Sequence, residues 1–291
     1  CYRELDTYPA RLRPALERVD EIWVAGAFVA QTVGRATDKP VIRIPHAIDV
    51  RVAQPARRAD FGLPEGPFLF LFAFDFGSSA ARKNPQAVLR AFRHAFAPGD
   101  PGVGLVIKCQ QGHRHPAELQ ALRALAADDP RIRIIDRVLP RQAVLGLHAV
   151  CDAFVSLHRA EGLGLALAEA MALGKPVIGT GYSGNLEFMN ADNSCLVDYR
   201  LVPGRPGQYS DFEPGWQWAE PDEAQAANLM RRLLEEPDFG ARIGARAAND
   251  MAGRFSHDVA AAAIRRRLEE IAGETAAAVD QLAGSPAPVF R

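Results

Sequence analysis

Two glutamates, Glu161 and Glu169, lie eight residues apart in a segment that otherwise contains mostly small and apolar residues. A carboxylate buried among apolar side chains costs several kcal/mol unless a partner compensates its charge. On a helix, eight residues span at most ~12 Å along the axis, which matches the separation of a hexose and a ribose joined by a diphosphate. One carboxylate can therefore hold sugar hydroxyls and the other ribose hydroxyls. Glu169 alone would equally suit a structural ion pair with an Arg or Lys of a neighbouring helix.

The residues between the two glutamates offer backbone amides to an anion. Gly162, Leu163, Gly164 and Leu165 follow Glu161 and lead into the predicted helix. The first amides of a helix have no intrahelical partner, and together with the helix dipole they form a site for phosphate. We therefore expect these amides to point into a ligand crevice.

Two further loops contain residues that suit an anion. Arg82 and Lys83 stand directly before a predicted helix, and a cation beside a helix N-terminus favours phosphate. Residues 180–187 form a second turn of small residues that leads into a short helix. Taken alone, the first loop is also consistent with a solvated surface loop and the second with a plain connection.

The elements around these loops predict an α/β fold with a doubly wound, Rossmann-like parallel sheet, because strands and helices alternate at βαβ spacing. The segment 68–74 is apolar without alternation, as expected for a strand covered on both faces. Strands are predicted over 21–25, 41–44, 68–74, 105–109, 132–135, 153–157, 176–179 and 194–197. Helices are predicted over 27–35, 84–97, 116–127, 140–150, 164–173, 223–235, 239–253 and 256–271. In such a sheet, ligands bind beyond the carboxyl ends of the strands, where all three loops lie.

Composition excludes several classes of protein. The formal net charge of −1 argues against a general nucleic-acid binder. The four cysteines are scattered without a Cys-x-x-Cys pair, so neither a zinc site nor a disulfide framework is indicated, and a cytoplasmic location is expected. No apolar run reaches the ~18 residues needed to cross a bilayer, and no signal peptide opens the chain. Because the chain begins with Cys1 and not with Met, we expect it to be part of a longer protein.

The glutamate pair and the residues after it resemble the signature of retaining glycosyltransferases of family four, also called glycosyl transferases group one. In this sequence the signature is Glu161-x7-Glu169 followed by Ala-Met-Ala-Leu-Gly-Lys-Pro-Val-Ile-Gly-Thr. Residues 21–30 and 44–49 resemble the end of the family's N-terminal domain and the hinge after it. Residues 255–271 resemble its terminal helix. The resemblance thus extends to about residue 271.

The resemblance implies a role for each matching residue. Lys83 would contact the donor diphosphate and support departure of the leaving group. Glu161 would lie near the transferred sugar, and Glu169 would bind ribose hydroxyls. The amides of residues 162–165 would meet the sugar and the phosphates.

Two more loops receive roles from the same resemblance. The loop 136–139, with Arg137 and Val138, would lie along the nucleobase mainly through its backbone. Ser183, Gly184 and Asn185 occupy the place of the family's glycine-rich phosphate turn, with Ser-Gly where Gly-Gly is common.

One departure concerns the loop after strand 68–74, where many members carry a Gly-Arg pair on the diphosphate. This chain has Asp75-Phe-Gly-Ser-Ser there, so Arg82 or other groups are candidates to take the place of that arginine. His158 is a further candidate to line the donor site. The segment 199–218 is longer than is usual in the family. It is expected to be a surface loop that could also touch acceptor or partner, and its Trp216 and Trp218 are assigned to packing.

The resemblance also implies a GT-B division of the chain. Residues 1–48 would end an incomplete acceptor-side N-terminal domain, and the polar, Pro- and Gly-containing residues 49–66 would be a linker. Residues 67–254 would form the nucleotide-sugar-binding domain. A terminal helix over 255–272 would cross back to the N-terminal domain, and a disordered tail would occupy 273–291.

The function implied is transfer of a sugar, with retention, from a nucleoside-diphosphate sugar to a saccharide or lipid-linked acceptor in surface polysaccharide or glycoconjugate synthesis. No cofactor or metal is expected, because no Asp-x-Asp motif lies in a crevice loop and the resemblance is to metal-independent enzymes. Peripheral membrane association, at the inner face, would come through the missing N-terminal domain. This chain alone is expected to be inactive.

Three other functions are alternatives to sugar transfer. A retaining glycosidase needs two carboxyl groups about 5–5.5 Å apart, and the two glutamates lie too far apart along a helix. A sugar-nucleotide epimerase of the same fold would need acid–base residues from the missing half. A non-catalytic domain that binds a nucleotide sugar or a partner remains the third alternative.

Overall fold

The structure is a computed structural model that describes residues 3–210 and 213–284, with side chains as far as residue 275. The strands are β1 Ile22–Val24, β2 Val41–Arg43, β3 Phe68–Ala73, β4 Val103–Cys109, β5 Ile132–Asp136, β6 Ala153–Ser156, β7 Val177–Thr180, β8 Cys195–Val197, β9 Tyr199–Pro203 and β10 Gln217–Pro221. The helices are α1 Arg13–Leu16, α2 Ala27–Gly34, α3 Ala80–Lys83, α4 Pro85–Ala95, α5 Pro116–Ala126, α6 Arg141–Val150, α7 Leu165–Ala172, α8 Glu223–Glu235, α9 Pro237–Arg254 and α10 His257–Gly284.

Six parallel strands form the main sheet in the order β5-β4-β3-β6-β7-β8. Successive residues of β3 point to opposite faces. Phe70 and Phe72 pack in the cluster that includes α4, α5 and α8, while Leu69 and Leu71 pack in the cluster that includes α6, α7 and α9. Because helices cover both faces, β3 is apolar throughout. The predicted doubly wound α/β fold is confirmed.

The strand order reverses between β3 and β6. Chain connections lead from β3 outward to β4 and β5 on one side, and from β6 outward to β7 and β8 on the other. The loops that follow β3 and β6 therefore part from each other at this topological switch point, which leaves a crevice at the carboxyl edge of the sheet. The candidate site lies there.

The segment 199–218 differs from the expected surface loop. Its two ends pair as the antiparallel strands β9 and β10, with Trp218 opposite Val202. Trp216 and Trp218 are each only 1% exposed and pack in one cluster with Leu5 and Ala160. Burial of two large aromatic surfaces favours an ordered hairpin over a solvated loop, and the assignment of these tryptophans to packing is confirmed.

Residues 3–48 contact the rest of the chain at several points. β1 and β2 form a separate two-stranded parallel sheet. Arg267 of α10 donates to Glu21 beside β1 at 2.6 Å, and the amide of Ile48 donates to the carbonyl of Phe255 at 2.8 Å. The first contact joins α10 to the residue before β1, and the second joins the segment after β2 to the residue that follows α9.

The helix α10 continues beyond the expected end near residue 272 and reaches Gly284. Residues 276–278 are three consecutive alanines, and alanine has the highest intrinsic helix propensity, which accounts for the extension. The remainder of the expected tail, residues 285–291, lies outside the described residues. No helix within the described part of the chain is long and apolar enough to cross a membrane.

Candidate functional site

Lys83 and Glu161 meet at the switch point. α3 ends at Lys83, and Asn84 then adopts a left-handed conformation (φ 55°) before α4 begins at Pro85. The side-chain amide of Asn84 donates to the carbonyl of Leu157 at 3.0 Å, which fixes this loop to the end of β6. The Nζ of Lys83 consequently reaches Glu161 and donates to its Oε1.

The charges at the switch point hold Glu161 ionised. The residue is 5% exposed. Burial raises the pKa of its carboxyl group, but Lys83 and Arg82 outweigh that effect and bring the pKa down to about 2. Burial lowers the pKa of Lys83, and Glu161 opposes that shift. The result is a buried carboxylate with two cations beside it.

Arg82 does not face the open crevice. The residue is 2% exposed, and its guanidinium donates to the carbonyls of Ala160 at 2.7 Å and Ser78 at 3.2 Å. It also lies 3.2 Å from Glu161 and 3.7 Å from Glu4. In this arrangement Arg82 supports the position of Glu161, and binding of a phosphate would require it to leave these partners.

The turn from Glu161 leads directly into the N-terminus of α7. Gly164 precedes α7 with φ of 89°, a conformation that strains any residue with a side chain. Leu165, the first residue of α7, is 45% exposed, whereas Leu163 is 3% exposed. Solvent therefore reaches the first residue of α7, while the turn before it is buried.

The turn after β7 is joined to the Glu161 turn by backbone contacts. The amide of Gly184 donates to the carbonyl of Glu161 at 2.9 Å, and a Cβ at Gly184 would stand 2.2 Å from the carbonyl oxygen of Gly162. Ser183 has φ of 77°, and its hydroxyl accepts from the amide of Glu161 at 2.8 Å and donates to the carbonyl of Tyr182. Ser183 is thus strained, and its hydroxyl links the two turns.

His158 and Asn185 lie beneath these turns. Both residues are 0% exposed. The Nε2 of His158 is 3.0 Å from the Oδ1 of Asn185, and the Nδ2 of Asn185 donates to the carbonyl of Thr180 at 2.9 Å. Neither side chain is directed at the crevice, so any contact of Asn185 with a ligand would come from its backbone.

Glu169 pairs with an arginine from the neighbouring helix. Arg141, the first residue of α6, donates from Nη1 to Oε1 of Glu169 and from Nη2 to the carbonyl of Asp49 at 2.9 Å. Burial raises the pKa of Glu169, and Arg141 opposes that shift. His148 is 3.9 Å from the second carboxylate oxygen, and burial lowers its pKa to about 3, which leaves it neutral. The structural ion pair that was the alternative for Glu169 is therefore present.

Arg137 and Val138 follow β5 at the outer end of the same sheet edge. The amide of Arg137 donates to the carbonyl of Cys109 at 3.2 Å, which fixes the start of the loop against β4. Val138 is 74% exposed. The loop therefore presents an apolar side chain to solvent close to the N-terminus of α6.

A cavity of about 1170 Å³ lies against the loop 76–82, and neither Glu161 nor a residue of α7 lines it. It is bounded by that loop, by residues of α4 and α5, and by residues 206–210. Of the described residues that line this cavity, Arg82 is the one to which the sequence assigned a role in the site. The cavity is therefore separate from the Glu161–α7 turn.

Two residues of the region escaped the sequence analysis. Arg141 partners Glu169. The sequence feature that could have identified it is a cation at the N-terminus of a predicted helix, where the helix dipole disfavours positive charge. Glu187 accepts from the amide of Ala27 at 2.8 Å and from Arg43 at 3.0 Å, so it ties the turn after β7 to α2 and β2. The sequence feature that could have identified Glu187 is an acidic residue at the end of a turn of small residues.

Comparison with known proteins gives one family. The model of the family described as glycosyl transferases group 1 matches residues 53–250, more than half of the chain. No curated protein gives a significant match.

Solved structures that share the fold include the following three. Sucrose-phosphate synthase from Thermosynechococcus elongatus is 16% identical with a TM-score of 0.70, and the match covers 90% of this chain and 61% of that one. HepE from Anabaena in complex with UDP and glucose is 17% identical with a TM-score of 0.66, and the match covers 90% of this chain and 66% of HepE. A glycosyltransferase from Rickettsia africae is 15% identical with a TM-score of 0.68, covering 91% and 67%. The chain thus spans 61–67% of the length of these structures.

Proposed function

The chain belongs to the glycosyl transferases group 1 family, and on that premise we propose that it is the donor-binding part of a glycosyltransferase. The enzyme would transfer a sugar, with retention and without a metal, from a nucleoside-diphosphate sugar to a saccharide or lipid-linked acceptor. The observation that carries this proposal is the contact of Lys83 with Glu161 beside the N-terminus of α7.

The roles follow from charge and position. A diphosphate bound at the N-terminus of α7 would meet helix amides and the ammonium of Lys83, both of which favour anions. As the bond to the sugar breaks, negative charge grows on the diphosphate, and Lys83 would stabilise it more strongly then than in the ground state. These groups replace the metal ion that other transferases use for the same purpose.

Glu161 would serve the sugar end of the donor. With a pKa of about 2 it is ionised, so its oxygens act as hydrogen-bond acceptors for sugar hydroxyls. Lys83 would exchange its bond with Glu161 for one with the diphosphate, which frees one carboxylate oxygen while Arg82 continues to hold the other. The carboxylate also favours positive charge that develops on the sugar ring.

Glu169 and the loop after β5 would hold the nucleoside. Glu169 lies along α7 from the phosphate position, and its bond with Arg141 leaves the second oxygen without a partner closer than His148 at 3.9 Å among the described residues. Ribose hydroxyls can donate to that oxygen. Val138, which is 74% exposed, would contact the base. The HepE complex contains UDP, so a uridine nucleotide is the first donor to test.

The chain spans 61–67% of the fold neighbours, and we propose that its own activity is donor binding without sugar transfer. Isothermal titration calorimetry with UDP, GDP and ADP and their glucose esters tests this directly. We expect saturable binding of one nucleotide class and loss of that binding in Lys83→Ala. The control Arg93→Ala removes an exposed cation of α4 and should bind as the wild type does. No saturable binding of any nucleotide would refute the proposal.

A further inference from the structure

We propose that His158 is a positioning residue whose Nε2–H joins the two turns that flank the donor site. Only the identity of the ligand, a nucleoside-diphosphate sugar, rests on the proposed function. His158 follows β6 and is completely buried, so it does not touch the donor. Its effect would be transmitted through Asn185.

The hydrogen bonds around Asn185 determine which nitrogen of His158 carries the proton. The Nδ2 of Asn185 donates to the carbonyl of Thr180 at 2.9 Å. With the amide in the opposite orientation, two acceptor oxygens would face each other there, so Oδ1 must be the atom that faces His158. Because Oδ1 can only accept, the Nε2 of His158 at 3.0 Å must donate.

The other ring nitrogen fits the same assignment. The Nδ1 of His158 is 3.1 Å from the hydroxyl of Ser156, which can donate to it. The carbonyl of Tyr182 lies 3.4 Å from Nε2 and adds a second acceptor on the donating side. The ring is therefore satisfied as the neutral Nε2–H tautomer.

Charge agrees with the neutral form. Burial lowers the pKa of His158, and Lys83 acts in the same direction, while Glu161 opposes them. An imidazolium would also place a proton on Nδ1, where Ser156 would have to turn its own hydroxyl proton away. Because Nε2 carries a proton both in this tautomer and in the imidazolium, the hydrogen bond from His158 to Asn185 does not depend on the charge of the ring.

This bond completes a closed connection between the turns. On the crevice side, the amide of Gly184 and the hydroxyl of Ser183 bond to the backbone of Glu161. On the inner side, His158 reaches from the end of β6 to Asn185 of the second turn. Loss of the inner bond would let the second turn move, and Glu161 would move with it.

The tautomer can be measured without any ligand. In the wild-type protein labelled with ¹⁵N-histidine, the two- and three-bond ¹⁵N–¹H correlations of His158 should show a protonated Nε2 and an unprotonated Nδ1 at pH 7. His158→Gln identifies the resonance by its disappearance. A protonated Nδ1, alone or together with Nε2, would overturn the assignment.

The positioning role needs two substitutions at the same site. His158→Phe retains an aromatic ring but cannot donate, and we expect about tenfold weaker UDP binding, the size of one net hydrogen bond. His158→Gln can donate to Asn185 through its amide, so it should recover most of the affinity. The exposed control His94→Gln should leave affinity unchanged. Lower thermal stability in both variants with wild-type affinity would show a purely structural role and contradict the proposal.

Failure of the proposed function would be seen separately. If the wild-type protein binds no nucleoside diphosphate, the donor assignment fails, and crystal structures of wild-type protein and His158→Phe still decide the positioning role. A displacement of residues 183–185 together with Glu161 in the variant supports the role. Unchanged turns in the variant refute it.

Discussion

The ammonium group of Lys83 donates a hydrogen bond to the carboxylate of Glu161, although the two residues are 78 positions apart in the chain. The contact exists because β3 and β6 are neighbours in the sheet and their following loops open at the switch point. Arg82 holds the second oxygen of the same carboxylate at 3.2 Å. Each ion would be costly to bury alone, so a change at one residue affects the others.

The roles proposed for these residues predict different kinetic effects. In a protein preparation that transfers sugar, Glu161→Gln should leave the affinity for the nucleoside diphosphate nearly unchanged and lower kcat, because the contribution of Glu161 lies with the sugar. Lys83→Ala should weaken nucleotide binding and lower kcat as well. Steady-state kinetics and calorimetry check both, with Glu235→Gln as an exposed control. If Glu161→Gln loses as much nucleotide affinity as Lys83→Ala does, the assignment of Glu161 to the sugar is wrong.

Glu161 and Glu169 should contribute oppositely to the pH dependence of stability. The pKa of Glu161 is lowered to about 2, so its stabilising contribution is present above the ordinary glutamate pKa and is lost as pH falls towards 2. The pKa of Glu169 is raised by burial, so its contribution is greatest at low pH and declines as pH rises through the ordinary value.

Urea unfolding between about pH 3.5 and 7 measures this difference. The stability lost in Glu161→Gln should shrink as pH falls. Glu169→Gln should become more stable relative to wild type as pH rises. If the stability difference from wild type changes with pH in the same direction in both variants, one of the two pKa shifts is wrong.

Glu169→Gln also separates ligand binding from structure. If Glu169 binds ribose hydroxyls, the variant should bind the donor and the bare nucleoside diphosphate alike about 1–3 kcal/mol more weakly, because a charged hydrogen bond is lost. Calorimetry with both ligands gives the two values. Wild-type nucleotide affinity in a destabilised variant would identify Glu169 as only the partner of Arg141.

Ser183 offers a test of strain against hydrogen bonding. Ser183→Ala keeps a side chain at φ 77° and loses the hydroxyl that bonds to Glu161 and Tyr182. Ser183→Gly loses the same bonds but relieves the strain. We expect the alanine variant to be less stable than the glycine variant by about 1 kcal/mol, measured by urea unfolding. A glycine variant no more stable than the alanine variant would show that the strain is small.

Gly184 should tolerate no side chain. In Gly184→Ala the Cβ would lie 2.2 Å from the carbonyl oxygen of Gly162, so the two turns must separate at a cost of roughly 1–3 kcal/mol. Nucleotide affinity should fall together with stability, because the same turns flank the proposed donor site. Gly34→Ala, where nothing lies within 4 Å of the new Cβ, is the matched control. Wild-type stability in Gly184→Ala would contradict the close approach.

Part of this protein follows from local sequence. The apolar run of β3 and the βαβ spacing predicted the sheet, because burial on both faces and chain connectivity are written in residue type and order. The spacing of Glu161 and Glu169, with glycines between them, likewise predicted a helix whose N-terminus opens at a crevice. The predicted ends of most of these strands and helices lie within a few residues of their ends in the structure.

Other features depended on residues distant in the chain, which no local pattern specifies. Glu169 was compatible with a ribose or an ion pair, and only the packing of α6 beside α7 brought Arg141 to it. Arg82 stands beside Lys83 in sequence, yet packing directs its guanidinium inward to Ala160 and Glu161. Sequence determined the strands and helices of the main sheet and which residues carry charge, but not the pairing of β9 with β10. Tertiary structure decided which charges meet, because a buried ion takes the partner that the neighbouring element supplies.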